Sequence, residues 1–130
     1  MPGPGSIAVN VLLVEDDLDN REIMGEVLAL AGHAVHAVAN GREALRALEE
    51  RAVDVMVTDL SLPGMNGLDL ARAAKAAAPS VAVLLVTGWT EPGDVERARG
   101  REVDEILLKP VNPEALTAAV RAVAGRRRLP

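Results

Sequence analysis

Five short apolar runs recur along this chain of 130 residues, and a segment with helical periodicity follows each of them. Alternation of this kind predicts a parallel sheet whose strands are connected by helices. The runs contain few polar residues, which is typical of strands that helices cover on both faces of the sheet. The predicted strands span residues 8–14, 34–39, 53–58, 81–86 and 103–108.

Capping residues and apolar spacing locate the helices. Asp19 with Glu22, and Asn40 with Glu43, have the spacing of a capping box at a helix start. Apolar residues at helical spacing predict the buried face of the first helix, which ends at Gly32. That face comprises Ile23, Met24, Val27, Leu28, Leu30 and Ala31. The later helices are predicted over Gly67–Ala77, over Gly93–Arg99, and after Asn112, where a proline suits the first helical position.

Five strands and five helices in this order predict one α/β domain of the flavodoxin-like, doubly wound (βα)5 type. Right-handed crossovers and the strand order 2-1-3-4-5 then place the first strand beside the third. We expect the domain to span residues 7–124, after a flexible lead-in at 1–6 and before a tail or linker at 125–130.

Composition argues against several classes of protein. The formal charge is −5, whereas domains that bind nucleic acid directly are usually basic. There is no cysteine, so disulfides and thiolate metal sites are excluded. No run reaches the ~18 apolar residues of a membrane span, and the start of the chain has no apolar signal region. We therefore expect a cytoplasmic protein that contacts neither nucleic acid nor a membrane.

Polar residues follow four of the predicted strands at the point where each ends. Glu15 and Asp16 follow the first strand, Asp59 the third, Thr87 the fourth and Lys109 the fifth. Ligands of parallel α/β sheets bind outside the carboxyl ends of the strands, so we expect these groups to converge. A single aspartate after a strand is usually a turn or helix cap, but capping does not explain the whole ordered set.

Such a cluster requires compensating positive charge. Two carboxylates ~5 Å apart repel by roughly 3 kcal/mol at an effective dielectric of about 20. Lys109 and a divalent cation can supply that charge, and an all-oxygen ligand set suits Mg²⁺. A carboxylate can also attack phosphorus as a nucleophile, while the cation and a lysine neutralise the transferring group. The sequence therefore predicts a divalent-cation and phosphoryl site built around Asp59.

Four motifs at these strand ends resemble the receiver domain of bacterial two-component response regulators, and the resemblance extends over residues 7–124. They are Leu13-Val14-Glu15-Asp16-Asp17, the run from Val57 to Gly67, Thr87-Gly88 and Leu108-Lys109-Pro110.

The resemblance implies roles for three residues at the acceptor site. Asp59 would accept a phosphoryl group from a phosphohistidine on a histidine kinase or a histidine phosphotransfer domain. Lys109 would pair with the phosphoryl oxygens, and its peptide bond to Pro110 is expected to be cis. The Thr87 hydroxyl would hydrogen-bond the phosphoryl group and move toward it.

The resemblance also implies a Mg²⁺ site, in which Mn²⁺ can substitute. Asp16 and Asp59 would bind the ion directly, Ser61 through its main-chain carbonyl, and Glu15 through water. Asp17 is the alternative ligand.

Phosphorylation is expected to switch the surface formed by the fourth strand, the helix after it and the fifth strand. Signal output would pass to an unidentified partner or a fused domain, without turnover of an external substrate. The family usually carries an aromatic residue three positions before the lysine, where this chain has Ile106. Trp89, two residues after Thr87, is the candidate for part of that switching role.

Three other interpretations stay open at this point. A flavodoxin-like cofactor-binding module would share the fold, but acidic residues stand where a flavin phosphate would need Ser, Thr and Gly. A phosphatase with an aspartate nucleophile would need a second aspartate where Ser61 stands. A degenerate receiver would use the same surface for protein binding alone.

Overall fold

The computed structural model describes residues 8–88 and 101–127 of the chain. Within them lie strands β1 (Asn10–Val14), β2 (Ala34–Val38), β3 (Val55–Asp59), β4 (Ala82–Thr87) and β5 (Glu105–Leu108), and helices α1 (Leu18–Leu30), α2 (Gly41–Glu50), α3 (Gly67–Ala77) and α4 (Pro113–Arg127). The strands are parallel and their order is β2-β1-β3-β4-β5, which confirms the predicted flavodoxin-like topology. The helix predicted over Gly93–Arg99 lies outside the described residues.

Each face of the sheet carries its own aliphatic core, because successive side chains of a strand point to opposite faces. On one face, Leu12 and Met56 lie in a cluster with residues of α2 and α3. On the other, Leu13 and Val57 lie in a cluster with residues of α1 and α4. Strands β3 and β4 are buried along their whole length, and apart from Thr58, Asp59 and Thr87 at their carboxyl ends they contain only apolar residues.

Two strands extend one residue further than the sequence indicated. Asp59 is the last residue of β3 and pairs with Val86, and Thr87 is the last residue of β4 and pairs with Leu108. Both polar residues are therefore held by the sheet itself and not by loops.

Strand β5 begins at Glu105, two residues later than predicted. Just before it, Asp104 Oδ2 accepts hydrogen bonds from Val83 N at 2.7 Å and from Lys75 Nζ at 2.8 Å. Lys75 Nζ also donates to the carbonyl oxygen of Val81 at 2.6 Å. This network ties α3 to the amino ends of β4 and β5.

The start of α1 differs from the prediction. The N-cap is Asp17, whose Oδ2 accepts a hydrogen bond from Asn20 N at 2.8 Å, so the predicted cap at Asp19 is wrong. Asp19 lies in the first helical turn instead. The connection from β1 is only three residues long, so the helix starts earlier than the capping-box spacing suggested.

The buried face predicted for α1 was too wide. Met24 and Leu28 are buried, whereas Ile23 is 59% exposed and Leu30 is 82% exposed. Consecutive helical residues are rotated by about 100°, so a helix lying on a sheet buries a narrow stripe. Ile23 and Leu30 fall outside that stripe.

The other predicted caps are confirmed. Asn40 Oδ1 accepts a hydrogen bond from Glu43 N at 2.9 Å, and the Glu43 carboxylate accepts one from Asn40 Nδ2 at 3.2 Å. Asn112 Oδ1 accepts one from Glu114 N at 2.8 Å. Helix α4 continues to Arg127, three residues past the domain end expected from the sequence. Among the described helices, none combines the length and apolarity needed to cross a bilayer.

Gly67, the first residue of α3, lies against the end of β3. Its N–H donates to the carbonyl oxygen of Leu60 at 2.7 Å. A Cβ at this position would overlap the carbonyl oxygen of Asp59 and lie 2.9 Å from the Cα of Leu60. Because both are main-chain atoms, no larger residue fits without moving the end of β3.

Gly67→Ala is therefore expected to lower the free energy of unfolding by about 1–3 kcal/mol, the usual cost of overpacking. Gly25→Ala in α1 is the matched control, because its Cβ would lie an ordinary 3.8 Å from Leu13 Cδ2. Alanine is better than glycine in a helix by about 1 kcal/mol, so this control should gain stability. Urea unfolding measures both variants, and equal stabilities would contradict the close approach at Gly67.

His33 is buried near the amino end of the sheet, just before β2. Its Nδ1 accepts a hydrogen bond from Val9 N at 3.2 Å, so this nitrogen carries no proton. Burial, and then the charge of Arg121, lower the pKa of His33 below its usual value of 6.5.

Acid is therefore expected to weaken the fold through His33. The unfolded chain takes up the proton at a higher pH than the folded protein, so stability should fall as pH drops below about 6.5. His33→Gln should reduce this slope, and Arg121→Gln should reduce it in part by removing one cause of the lowered pKa. Urea unfolding between about pH 7 and pH 5 measures the slope, and an unchanged slope in His33→Gln would exclude this origin.

Candidate functional site

The carboxyl ends of three strands bring four charged side chains together. Glu15 and Asp16 follow β1, Asp59 ends β3 and Lys109 follows β5. The strand order places β1 beside β3, with β4 between β3 and β5. The group is thus assembled from three separate parts of the chain, and it depends on the topology of the sheet.

The three carboxylates face one another. One oxygen atom from each of Glu15, Asp16 and Asp59 lies within 4.8 Å of the other two. Glu15 is 2% exposed and Asp59 is 8% exposed, whereas Asp16 is open to solvent. An all-oxygen donor set with access from one side fits a hard divalent cation such as Mg²⁺, which retains part of its water when bound.

Lys109 is bonded directly to the carboxylate of Asp59. Its Nζ donates to Asp59 Oδ2 at 2.7 Å, a short charge-assisted hydrogen bond. Burial acts to lower the pKa of Lys109, but the hydrogen bond and charge of Asp59, together with the charges of Glu15 and Asp16, raise that pKa above its usual value. The ammonium therefore stays charged and offsets part of the repulsion among the acids.

Glu15 is an acid whose pKa is raised by burial and by a neighbouring acid. Burial, followed by the charge of Asp59 and a hydrogen bond with it, raises the pKa of Glu15 from 4.5 to about 7. Lys109 acts in the opposite direction without cancelling these effects. Without a cation, Glu15 is therefore partly protonated near neutral pH.

Thr87 and Lys109 are joined through the main chain. Lys109 N donates to the carbonyl oxygen of Thr87 at 2.9 Å, which continues the β4–β5 pairing past Leu108. Thr87 is buried, and the next residue, Gly88, lies against the lysine side chain, since a Cβ on it would be 3.4 Å from Lys109 Cβ. The peptide bond between Lys109 and Pro110 is cis. Thr87 and Lys109 therefore lie at the same edge of the sheet.

The other candidate residues lie around this group or outside the described part of the chain. Ser61 is exposed in the loop between β3 and α3. Ile106 is half-buried in β5 and packs against the cluster of α2 and α3. Asp17 uses its carboxylate to cap α1, and the acidic group found among the described residues does not include it. Trp89 lies outside the described residues.

Arg21 contacts the same region, but the prediction made from the sequence did not include it. Its Nη1 donates to the main-chain oxygen of Glu15 at 2.9 Å. Side chains of a helix lean toward its N-terminus, so a basic residue one turn into α1 can reach back to the end of β1. A prediction made from strand ends alone omits charges that the following helix supplies.

The sequence profile of a family described as "Response regulator receiver domain" matches residues 11–121. Among curated proteins, a cyclic di-GMP phosphodiesterase of Thermotoga maritima is 39% identical over 108 residues, which cover 83% of this chain and 29% of that protein. The DNA-binding response regulator MtrA of Mycolicibacterium paratuberculosis is 35% identical over 112 residues, which cover 86% of this chain and 49% of that protein. The chain thus spans half or less of the length of these relatives.

A solved structure also matches nearly end to end. A response regulator receiver domain protein from Clostridium thermocellum superposes with a TM-score of 0.82 at 28% sequence identity. The match covers 94% of this chain and 98% of that one.

The raised pKa of Glu15 implies that the free energy of unfolding of the metal-free protein depends on pH. The folded protein holds this proton to a higher pH than the unfolded chain, so the contribution of Glu15 to stability falls as pH rises from about 4.5 to about 7. In the presence of a chelator, Glu15→Gln should therefore stabilise the protein more above about pH 7 than near pH 5.

Glu26→Gln is the matched control, since it removes the same charge from an exposed position of α1. Urea unfolding at the two pH values measures each variant. Equal gains for both variants above neutral pH would show that the net charge of the protein, and not the burial and acidic neighbour of Glu15, is the cause.

Proposed function

The chain belongs to the family of response regulator receiver domains, and we propose that its acidic centre is a phosphoacceptor site. Asp59 receives a phosphoryl group from a phosphohistidine of a histidine kinase or a histidine phosphotransfer domain. The 2.7 Å contact between Lys109 and Asp59, inside a group of three carboxylates, is the observation that supports this. A structural ion pair needs one acid for one ammonium, whereas two further acids crowd around this pair.

The chain's own residues supply the nucleophile and one positive charge for the transfer. A carboxylate oxygen of Asp59 forms a bond to phosphorus while the N–P bond of the phosphohistidine breaks, and the electron pair of that bond returns to the imidazole. The Lys109 ammonium offsets the charge on the phosphoryl oxygens. The Thr87 hydroxyl donates a hydrogen bond to one of them. Attack by water later restores the carboxylate and releases inorganic phosphate.

We assign a Mg²⁺ site to the same group, with Mn²⁺ as a substitute. Asp16, Asp59 and the main-chain carbonyl of Ser61 would be ligands, and Glu15 would act through water. When bound, the cation would offset the charge of the acids and of the phosphoryl group. The oxygen-only donors and the open side at Asp16 support this assignment.

Phosphorylation acts as a switch in this proposal. It replaces the single charge of the Asp59 carboxylate by about two negative charges on the phosphoryl group, and it places three acceptor oxygens beside Thr87. Hydrogen bonding to them draws Thr87 toward Asp59 and changes the surface of β4, the segment after it and β5. Ile106 and Trp89 are the residues we assign to this response.

The proposed domain comprises residues 7–124 and acts in the cytoplasm without turning over an external substrate. The two curated relatives are named as a phosphodiesterase and a DNA-binding regulator, and each is at least twice as long as the matched part. By analogy, we propose that the output here passes to a fused domain or to a separate protein partner.

Labelling with acetyl phosphate and Mg²⁺, read by intact mass, tests the acceptor. The wild-type protein should gain one phosphoryl group, and Asp59→Asn should gain none because an amide is a poor nucleophile. Asp69→Asn, on the exposed part of α3, is the matched control and should be labelled like the wild type. Lys109→Ala should slow labelling by about 10²–10³-fold, the usual cost of losing a group that stabilises developing charge.

Labelling of Asp59→Asn at the wild-type level would place the acceptor elsewhere. If the wild-type protein binds a kinase partner but takes up no phosphoryl group, the result would favour a degenerate receiver that serves for protein binding alone.

A further inference from the structure

Arg21 lies one turn into α1, and its side chain reaches back toward the end of β1. The residue is half-buried, and its Nη1 donates to the main-chain oxygen of Glu15 at 2.9 Å. Its own N–H donates to the carbonyl oxygen of Asp17 at 2.9 Å, in the first turn of α1. Arg21 is therefore bonded to both ends of the three-residue connection between β1 and α1.

This connection carries two of the three acids. β1 ends at Val14, and Glu15 N donates to the carbonyl oxygen of Val38 at 3.1 Å, one step past the β1–β2 pairing. The carbonyl of Glu15 belongs to the next peptide unit, which is planar and links Glu15 to Asp16. By holding that oxygen, Arg21 fixes the plane from which both acidic residues project.

The choice of a main-chain acceptor matters for a cation site. Because Arg21 bonds a carbonyl oxygen of Glu15, this bond uses no carboxylate oxygen that a cation would need. Lys109, in contrast, bonds Oδ2 of Asp59 itself. The two basic residues therefore act differently on the same acidic group.

We propose that Arg21 is a positioning residue for the acids that bind Mg²⁺. Its hydrogen bond to the Glu15 carbonyl holds Glu15 and Asp16 in the orientation in which their carboxylates meet that of Asp59. The inference rests on the proposed function, since it takes these three acids as the cation site.

A purely electrostatic role for Arg21 would have the opposite sign. The guanidinium is positively charged, so its loss would reduce the repulsion of Mg²⁺ and tighten binding. A positioning role predicts that Mg²⁺ binds more weakly when the Arg21 side chain is removed, because groups that orient metal ligands typically contribute about ten- to hundredfold to affinity. The direction of the change in affinity therefore distinguishes the two roles.

Isothermal titration calorimetry with Mg²⁺ alone, on the unphosphorylated protein, measures that direction. Arg21→Met keeps the aliphatic stem but removes the charge and the donor, and it should weaken Mg²⁺ binding about tenfold. Arg21→Lys keeps a charge and a donor and should recover part of the loss. Arg46→Ala removes the same charge from an exposed position of α2 and should bind Mg²⁺ like the wild type.

Urea unfolding in a chelator establishes that each variant is folded, so that altered binding is not read from unfolded protein. Unchanged or tighter Mg²⁺ binding by folded Arg21→Met would overturn the inference, and so would an Arg21→Lys protein as weak as Arg21→Met. A wild-type protein that binds no Mg²⁺ would contradict the proposed function itself.

Discussion

The hydrogen-bonded ion pair between Lys109 and Asp59 allows three acids to share a small, mostly buried space. Without that ammonium, Glu15, Asp16 and Asp59 would repel one another with their carboxylate oxygens less than 5 Å apart. Even with it, burial and then the charge of Asp59 raise the pKa of Glu15 to about 7, because Lys109 offsets these effects only in part. The remaining negative charge is carried by oxygen donors alone, a donor set that fits a hard divalent cation.

The main chain holds this site more firmly than its place at the end of a sheet would suggest. Asp59 and Thr87 are the last paired residues of their strands, and Lys109 N continues the ladder by one more bond. The absence of a side chain at Gly67 lets α3 close against the end of β3. Arg21 fixes the connection that carries Glu15 and Asp16. Such support matters because repelling charges would otherwise move apart.

The two ends of the sheet have different roles. At the amino ends of the strands, polar side chains are satisfied by one another and by the main chain, as with Lys75 and Asp104 and with His33 and the Val9 amide. At the carboxyl ends, like charges are crowded and one carboxylate is left open to solvent. Satisfied polar contacts and crowded like charges thus lie at opposite ends of the strands.

The alternation of apolar runs and helical periods predicted a parallel sheet, and the strand order of the flavodoxin-like fold then placed Glu15, Asp16, Asp59 and Lys109 at one edge of it, because the carboxyl ends of parallel strands meet there. The sequence placed the N-cap of α1 two residues too late, at Asp19, and it did not predict the exposure of Ile23 and Leu30 or the contact of Arg21 with Glu15. Those features depend on the rotation of α1 about its axis and on the length of the connection before it. The periodicity of apolar residues locates the start and the buried face of a helix only to within a residue or two. A hydrogen bond or a pKa shift depends on distances of a few ångströms, and only the packed tertiary structure decides those distances.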